Sequence, residues 1–350
     1  MPETYDKPFK TYKEQIEIMR SRNVSIPEDM EKTAVHYLSS ISYYTLMNSY
    51  KNTPLIESPD KFIDGTTVPV LVYTHVLNKS IRSILLKYIL YIEKSFKTKL
   101  AYEVSSRVGI FTDYKNTGVN DKCDYLSPCH YKGTFKIAKL KRLKECIANA
   151  KKDTSLHYYR EAKNHVPAWI LSQGIYFHDA IMWYGILKPE AKRSVCFQML
   201  PESSLSDTEK LEFFPIAMNL LRKYRNAFAH EENMVIVDDE YRLPKKSLLK
   251  MLHEKTLTQS EYEAGWGQKD IFAAMILICL LIKTPYLADS MLAELSHMWE
   301  AYKNTPTIAG KSIFEIFRLP ENLIQRLNFY FVGSPPIEES NSTETDSEQK

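Results

Sequence analysis

The amino-acid sequence predicts an all-α protein. Glycine accounts for only 10 of the 350 residues, whereas a typical soluble chain contains about 7% glycine. Few turn-forming dipeptides interrupt the chain, and long stretches repeat apolar residues with the period of an α-helix. A chain of this length can bury a sizeable core and can form one large or two modest domains.

Residues 1–65 read as an N-terminal helical region. A first helix is expected over residues 11–22 because apolar residues recur there with helical spacing. Pro27 begins a second helical pattern over residues 28–50, since proline suits the first turn of a helix. Prolines and polar residues then predict a loop from 52 to 65. The two helices together predict a helical hairpin at the start of the chain.

The longest helical pattern begins at Thr67 and continues to about Arg107, where Gly109 ends it. An unbroken helix of that length would be about 60 Å long, so we expect a kink or a break within it. Residues 111–133 lack periodicity and are expected to form a loop. A basic helix is predicted next, over residues 132–152.

An aromatic-rich helix is predicted at residues 168–187, where Pro167 marks its beginning. Aromatic residues at helical spacing are usually part of a protein core rather than a ligand-binding surface. His178 lies in this stretch, and we expect it to be a packing histidine.

A capping box predicts where the following helix begins. Ser206 is followed three residues later by Glu209, and this pair satisfies the free N–H groups of a helix N-terminus. The helix should therefore run over residues 207–230, with its early turns bent by Pro215.

The remaining chain is expected to add a short hairpin arm at 235–241 and further helices. These helices are predicted near residues 245–255, 268–283, 287–303 and 320–331. The elements suggest four regions along the chain. They are the N-terminal helical region (1–65), a helical core (66–235) with an inserted basic segment (111–152), a C-terminal helical extension (236–333) and a disordered acidic tail (334–350).

One side of the helix at 207–230 carries the groups that suggest a function. On a helical wheel its polar residues fall within about 160° of arc, and its apolar residues lie opposite. Guanidinium, ammonium and imidazole groups bind phosphodiesters and transfer protons. The polar residues, called the polar face below, are Arg222, Lys223, Arg225, Asn226 and His230.

The polar face also has a simpler interpretation. Cations near a helix C-terminus favour the helix dipole, and a histidine there can cap the last carbonyl groups. An Arg and a His five residues apart are by themselves more often structural than catalytic. The polar face is therefore a candidate site that needs support from its context.

Charge and composition narrow the classes of protein. The net charge is +3, and because the tail is acidic the rest of the chain is more basic, which is compatible with nucleic acid. Five irregularly spaced cysteines predict neither a disulfide framework nor a zinc site. No signal peptide, glycine-rich phosphate loop or nucleophilic triad is recognisable, and the longest apolar run, 271–282, is too short for a bilayer. We expect a soluble, cytoplasmic protein without a metal or cofactor.

The basic segment is a second candidate surface. Residues 132–152 contain eight lysines and arginines against Glu145 alone. This pattern fits a solvated amphipathic helix and an RNA-facing surface equally well. The candidate RNA-binding residues are Lys132, Lys136, Lys139, Lys141, Arg142 and Lys144 here, Lys94, Lys97 and Lys99 in the long helix, and Arg222 and Lys223 on the polar face.

Short motifs follow one another in a characteristic order over residues 7–232. They are Lys7-Pro8, Tyr12 to Ile16 with Arg22, Ala34, Tyr37-Leu38, Ile41, Tyr43-Tyr44, Arg82, Ile92-Glu93, Lys97-Thr98, Ala101-Tyr102, Pro167-Ala168-Trp169 and Arg225 to His230. Each motif is weak alone, but in this order they resemble bacterial abortive-infection proteins of the AbiD/AbiF type, in the HEPN superfamily. The chain departs from them at Lys97, where Arg is common, and at Glu231, where many have a second His.

The resemblance implies an anti-phage effector built on a HEPN-like helical bundle. In that superfamily Arg-x4–6-His is a metal-independent ribonuclease motif, and Arg225, Asn226 and His230 match it as catalytic residues. Glu93 is assigned a supporting role. HEPN nucleases generally pair two motifs across a dimer, so the resemblance also implies a homodimer. Some systems of this type act with a non-coding RNA, which adds a small structured RNA to the expected partners.

Three functional hypotheses therefore stand side by side. The first is an endoribonuclease that damages RNA in the infected cell and so halts the phage. The second is a catalytically silent HEPN module that binds RNA or a protein partner, for which a cationic face serves equally well. The third is a purely structural helical scaffold.

Overall fold

The computed structural model describes residues 6–48, 50, 53–58, 60–115, 117, 122–230, 240–303, 307–308 and 310–332. These residues form sixteen α-helices, two short 3₁₀ turns and one two-stranded sheet, which confirms the predicted all-α class. In the part of the chain so described, no helix is long and apolar enough to cross a membrane. The predicted acidic tail lies outside the described residues, as does nearly all of the predicted hairpin arm.

Short elements form the N-terminal region. They are α1 (Tyr12–Ser21), α2 (Glu31–Ile41), α3 (Tyr43–Asn48), β1 (Ile56–Ser58) and β2 (Lys61–Phe62). The single helix predicted over 28–50 is wrong, because Ser42 has a φ of +78° and separates α2 from α3. The Ser42 hydroxyl then accepts a hydrogen bond from the Thr45 N–H at 3.3 Å, which starts the next helix. The predicted loop contains the small hairpin β1–β2.

Helix α4 (Val68–Val108) is the central element of the molecule. It runs for 41 residues as one continuous helix, so the break expected from its length is absent. Other helices contact α4 along this length and bury residues from Val68 to Val104. Packing of this kind supports a long helix where an isolated one would have only its own hydrogen bonds.

Five helices follow the loop after α4. They are α5 (Lys136–Ala148), α6 (Ser155–Ala162), α7 (Ala168–Gly174), α8 (Phe177–Ile186) and α9 (Pro189–Met199). The prediction of one helix over 168–187 is wrong, because the backbone is extended at Ile175 and Tyr176. This break gives the Ile175 carbonyl a partner outside the helix, since the Lys97 ammonium of α4 donates to it at 2.7 Å. Helices α6 and α9 were not predicted.

Helix α10 (Asp207–Ala229) carries the polar face. The capping box of Ser206 and Glu209 is present, as the sequence predicts. Pro215 lies inside the helix, and the Asn219 side chain donates to its carbonyl at 2.9 Å. The side chain thus adds a second donor at the Pro215 carbonyl, while the carbonyl that loses its helical N–H donor to the proline is that of Leu211.

The C-terminal part adds six helices. They are α11 (Lys245–Met251), α12 (Gln259–Glu263), α13 (Ile271–Leu281), α14 (Pro285–Tyr302), α15 (Ile313–Ile316) and α16 (Leu323–Val332). Every residue of α13 is buried, because α4, α10 and α16 all contact it. This explains why apolar residues occur all around α13 rather than along one side of it.

Buried side chains form two clusters. The larger one surrounds α4 from Leu77 onward and includes α13. At its centre the Phe96 ring makes edge-to-face contacts with Tyr184 and Phe214, at centroid distances of 6.0 and 5.9 Å. The smaller cluster joins the N-terminal helices to the first turns of α4.

Phe96 provides a test of this core. We expect Phe96→Ala to lower the free energy of unfolding by about 3–5 kcal/mol, because the truncation leaves a cavity among the rings of Phe177, Tyr184 and Phe214. Tyr91→Ala is the matched control on the same helix, since the Tyr91 side chain is exposed and its removal should change the stability by about 0.5 kcal/mol or less. Urea unfolding followed by circular dichroism measures both. Equal losses for the two variants would contradict the packing described here.

Candidate functional site

The apolar side of α10 fixes the orientation of the polar face. Leu220, Leu221, Tyr224 and Phe228 are buried, as the helical wheel predicts. The Tyr224 hydroxyl also donates to the Lys269 carbonyl at 2.8 Å. With this side held in the core, the polar face is directed toward the surface.

A buried carboxylate anchors Arg225. Glu93 Oε2 lies 3.5 Å from Arg225 Nε, and the side chains are 9% and 29% exposed. The other Glu93 oxygen, Oε1, accepts from the Lys97 ammonium at 2.6 Å. Glu93 therefore lies between two cations, one on its own helix α4 and one on α10.

The guanidinium of Arg225 also contacts its neighbour on the polar face. Arg225 Nη1 donates to Asn226 Oδ1 at 3.4 Å. Arg225 Nε faces Glu93 Oε2 on the buried side of the group, as an ion pair at 3.5 Å in which neither atom makes a hydrogen bond to any described residue. A guanidinium held at one edge in this way can present its other N–H groups to a phosphate oxygen.

His230 occupies the C-cap of α10. The His230 backbone N–H donates to the Asn226 carbonyl at 3.0 Å, and His230 is exposed. The imidazole is thus one turn beyond Asn226, on the same end of the helix. Glu231, where the sequence departs from the family pattern, lies outside the described residues.

The two remaining cations of the polar face have protein partners. Lys223 Nζ lies 3.1 Å from Glu240 Oε2 and 4.7 Å from the centroid of the Tyr241 ring. Hydrogen bonds from Tyr241 and Lys223 lower the pKa of the Glu240 carboxyl. Arg222 Nε donates to Asn219 Oδ1 at 3.3 Å. One flank of the polar face is therefore formed by residues that follow it in the chain.

His178 was missed as a member of this surface. The expectation that it packs in the core is wrong, because the break before α8 turns the residue to the exposed side. Partial burial lowers the pKa of His178, and the next largest cause is the charge of Arg222 on α10. Arg142 and Lys139 of α5 act in the same direction. No sequence signal could reveal this, because these charges come from separate helices.

The basic segment divides into engaged and exposed cations. The Lys136 ammonium donates to the Pro128 and Tyr131 carbonyls, and Lys144 pairs with the buried Asp124 at 2.8 Å. Lys132 and Lys141 are exposed, and Lys141 is 3.9 Å from Glu145. Lys136 and Lys144 therefore contribute to the fold, whatever the exposed lysines bind.

The candidate lysines of α4 have separate environments. Lys97 is buried against Glu93, whereas Lys94 is exposed and donates to Gln173 Oε1 at 2.9 Å. Lys99 donates to the Ser95 hydroxyl at 2.6 Å, and burial lowers its pKa. Among the described residues no group of three or more His, Cys, Asp or Glu side chains could hold a metal ion.

The chain is an all-α bundle in which one helix, α10, presents a cationic face that ends in a histidine. The family model of Abi-like proteins matches residues 36–235, more than half of the chain, and the chain belongs to that family. Searches of curated proteins and of solved structures give no match. Family membership places the protein in abortive infection, a form of defence against phage, and confirms that part of the sequence prediction.

The proximity of α8 and α10 gives a pH-dependent prediction. Replacing Arg222 with Gln should raise the pKa of His178 toward its ordinary value of 6.5, because removing a nearby cation favours the protonated imidazole. NMR titration of the His178 ring measures the change. Lys141→Gln is the control, since Lys141 does not contribute to the shift of His178. If both variants leave the His178 pKa where it is, Arg222 does not face this ring.

Proposed function

We propose that the protein is an abortive-infection effector that cleaves RNA as a metal-independent HEPN endoribonuclease. The observation that carries the proposal is the anchoring of Arg225 by buried Glu93, beside Asn226 and close in sequence to the exposed His230. The Glu93 carboxylate lies on the buried side of the guanidinium, which leaves the other N–H groups of Arg225 toward the surface. An ion pair that served only stability would have no need of His230 at the end of the polar face, so the presence of this imidazole supports the catalytic proposal.

The residues can supply the chemistry that RNA cleavage needs. The 2′-oxygen attacks phosphorus, the bond to the 5′-oxygen breaks, and the products are a 2′,3′-cyclic phosphate and a 5′-hydroxyl. Arg225 would stabilise the negative charge on the non-bridging oxygens, because a guanidinium keeps its charge at all working pH values. His230 would move the proton, since an imidazole changes charge near neutral pH. Asn226 would orient the phosphate or the imidazole.

A homodimer completes the proposed mechanism. One proton leaves the 2′-hydroxyl and another must reach the leaving 5′-oxygen, and one imidazole cannot easily do both at once. An isologous dimer would bring two polar faces together through a single surface patch. The dimer would then have one composite site that holds both copies of His230, one acting as base and the other as acid.

Glu93 and Lys97 are proposed as positioning residues. Glu93 would fix the guanidinium of Arg225, and Lys97 would fix Glu93 through its bonds to Oε1 and to the Ile175 carbonyl. Neither side chain is exposed enough to bind a nucleic acid directly. This assigns Lys97 to support of the site rather than to the RNA-binding role expected from its charge.

A catalytically silent RNA-binding module is the second candidate function. The exposed Lys132 and Lys141, with Arg142 on the same helix α5 as Lys141, favour contacts to a phosphate backbone. Structured RNA is recognised largely through its backbone and shape, which suits such lysines. A non-coding RNA bound there could also restrain or guide the proposed nuclease.

Single substitutions on the polar face separate the two functions. Arg225→Ala and His230→Ala should each reduce RNA cleavage by about 10²-fold or more, and remove toxicity in infected cells, while the RNA affinity changes little. Gel analysis of radiolabelled RNA measures cleavage, which should persist in EDTA and leave the cyclic phosphate. His36→Ala is the matched control, since this residue of α2 is exposed and distant in sequence from α10. A wild-type protein that binds RNA but never cuts it would favour the silent module.

Mixed dimers test the paired imidazoles. Differently tagged wild-type and His230→Ala chains should form a heterodimer with far less than half of the wild-type cleavage activity, because its one composite site then lacks one imidazole. Independent sites would instead retain about half. Tandem affinity purification followed by the same cleavage assay measures this. A monomer with full activity would refute the composite site.

A further inference from the structure

Helix α8 carries a narrow strip of surface that the proposed reaction does not use. Every residue of α8 is buried except His178, Met182 and Gly185, which recur at helical spacing and therefore lie in one line. The strip is about 10 Å long, because seven residues of helix each rise by about 1.5 Å. Helices α5 and α10 both pack against α8. The strip is the part of α8 that stays open to solvent beside these neighbours.

Helix α5 places two cations along this strip. A β-carbon at Gly185 would lie 3.8 Å from Lys139 Nζ, so this ammonium lies beside the last turn of α8, at a position without a side chain. Arg142, one turn further along α5, pairs with Asp179 in the first turn of α8. The Arg142 side chain is nevertheless 53% exposed, and its remaining N–H groups can bind a ligand. Lys139 and Arg142 therefore border the strip at its two ends.

Helices α9 and α10 place two more cations near the strip. The Lys192 carbonyl of α9 accepts a hydrogen bond from the Tyr184 hydroxyl at 3.4 Å, which joins α9 to the last turn of α8. Arg222 of α10 lies toward the first turn, because its charge adds to partial burial in lowering the pKa of His178. Arg222 is also a member of the polar face. The strip therefore adjoins the polar face at this end.

The two lysines near the last turn of α8 repel each other. Neither the Lys139 nor the Lys192 ammonium has a hydrogen-bond or ion-pair partner within the described part of the chain. Burial lowers the pKa of Lys192, and the charge of Lys139 lowers it further. The helix dipole favours a cation at the end of α8, but it does not account for a second, partly buried one beside the first. An anion between the two ammonium groups would remove this repulsion.

We propose that the strip and its neighbouring cations bind the phosphate backbone of one RNA strand and lead it away from the cleaved bond. This phosphate track consists of the strip with Lys139, Arg142, Lys192 and Arg222. The inference rests on the proposed function, because the strand is the substrate held at the polar face. A nucleic acid fits better than an acidic protein segment, since the track continues into the side chains that would act on a phosphodiester. Phosphate contacts carry no base information, so the track should accept RNA of any sequence.

Binding of a short 2′-O-methyl RNA to the full-length protein tests the track. This RNA lacks the attacking 2′-hydroxyl and is not cut by the proposed reaction. Lys139→Gln and Lys192→Gln should each weaken its binding by about threefold or more, and should each reduce the slope of log K against log salt by about 0.7, because one phosphate contact is lost. Fluorescence anisotropy at several KCl concentrations measures both. Lys32→Gln is the control, since Lys32 is exposed on α2.

Three binding results would overturn the inference. Unchanged affinity and salt slope in both Lys139→Gln and Lys192→Gln would remove the RNA from α8. A loss in Lys141→Gln but not in Lys139→Gln would place the RNA on the other side of α5, because residues two apart in a helix point about 200° from each other. Tighter binding of polyglutamate than of the RNA would assign the surface to an acidic protein segment.

Chemical modification locates the strand without any substitution, so the test holds even if a variant does not fold. Acetic anhydride acetylates accessible lysines, and mass spectrometry measures the rate at each one. Bound 2′-O-methyl RNA should slow acetylation of Lys139 and Lys192 and leave the rate at Lys32 unchanged. Equal rates at Lys139 and Lys192 with and without the RNA would refute the track.

The length of the substrate separates this inference from the proposed function. Lys139→Gln should raise KM severalfold for a long RNA and retain kcat, because the lost contact binds substrate and transition state alike. It should not raise KM for a dinucleotide, whose single phosphate the polar face would hold, whereas His230→Ala should lower kcat for both. Protection of Lys139 and Lys192 by RNA that is never cut would support the track and refute the nuclease. Cleavage of long RNA with the same KM in Lys139→Gln, Lys192→Gln and wild-type protein would support the nuclease and refute the track.

Discussion

The contact of Glu93 with Arg225 and Lys97 joins the three parts of the structure on which the site depends. Glu93 and Lys97 belong to α4, Arg225 belongs to α10, and Lys97 also holds the carbonyl of Ile175 at the break between α7 and α8. Replacing a buried ion cluster by apolar residues is often neutral for stability, but removing one partner leaves a buried charge and is strongly destabilising. Such a cluster is best understood as a device for orientation. Here the cluster links a guanidinium at the surface to the Ile175 carbonyl, at the break after which α8 begins.

The features that the sequence predicts well are those with local causes. The phase of α10 follows from its own apolar residues, and its N-terminus follows from Ser206 and Glu209, so both could be derived without a structure. The breaks at Ser42 and Ile175 are different. Ile175 leaves the helix where its carbonyl meets Lys97 of another helix, and no periodicity within residues 168–187 contains that information. The continuity of α4 also depends on helices that come later in the chain.

The charged residues can also be counted from the sequence, but their partners in the fold cannot be read from it. Counting lysines identifies the basic segment, but it cannot distinguish Lys144, which pairs with buried Asp124, from Lys141, which is exposed. His178 shows the opposite error, because a residue expected in the core is exposed. The charges that lower its pKa come from α5 and α10, which its own segment does not reveal. The sequence assigns Glu93 only a supporting role. Its contact with Arg225 joins residues that are far apart in the chain, so the sequence does not reveal it. The finer features of the site are therefore tertiary, whereas the residue types that compose it are visible in the sequence.

The unbroken helix α4 has a mechanical consequence. Its first turn belongs to the N-terminal cluster, with Val68 and Leu71, while Glu93 lies about 37 Å further along at 1.5 Å per residue. The helix is continuous over all 41 residues, so no break between these two points provides a hinge. A tilt of the N-terminal helices that carried α4 with it would therefore also displace the Glu93 carboxylate beside Arg225.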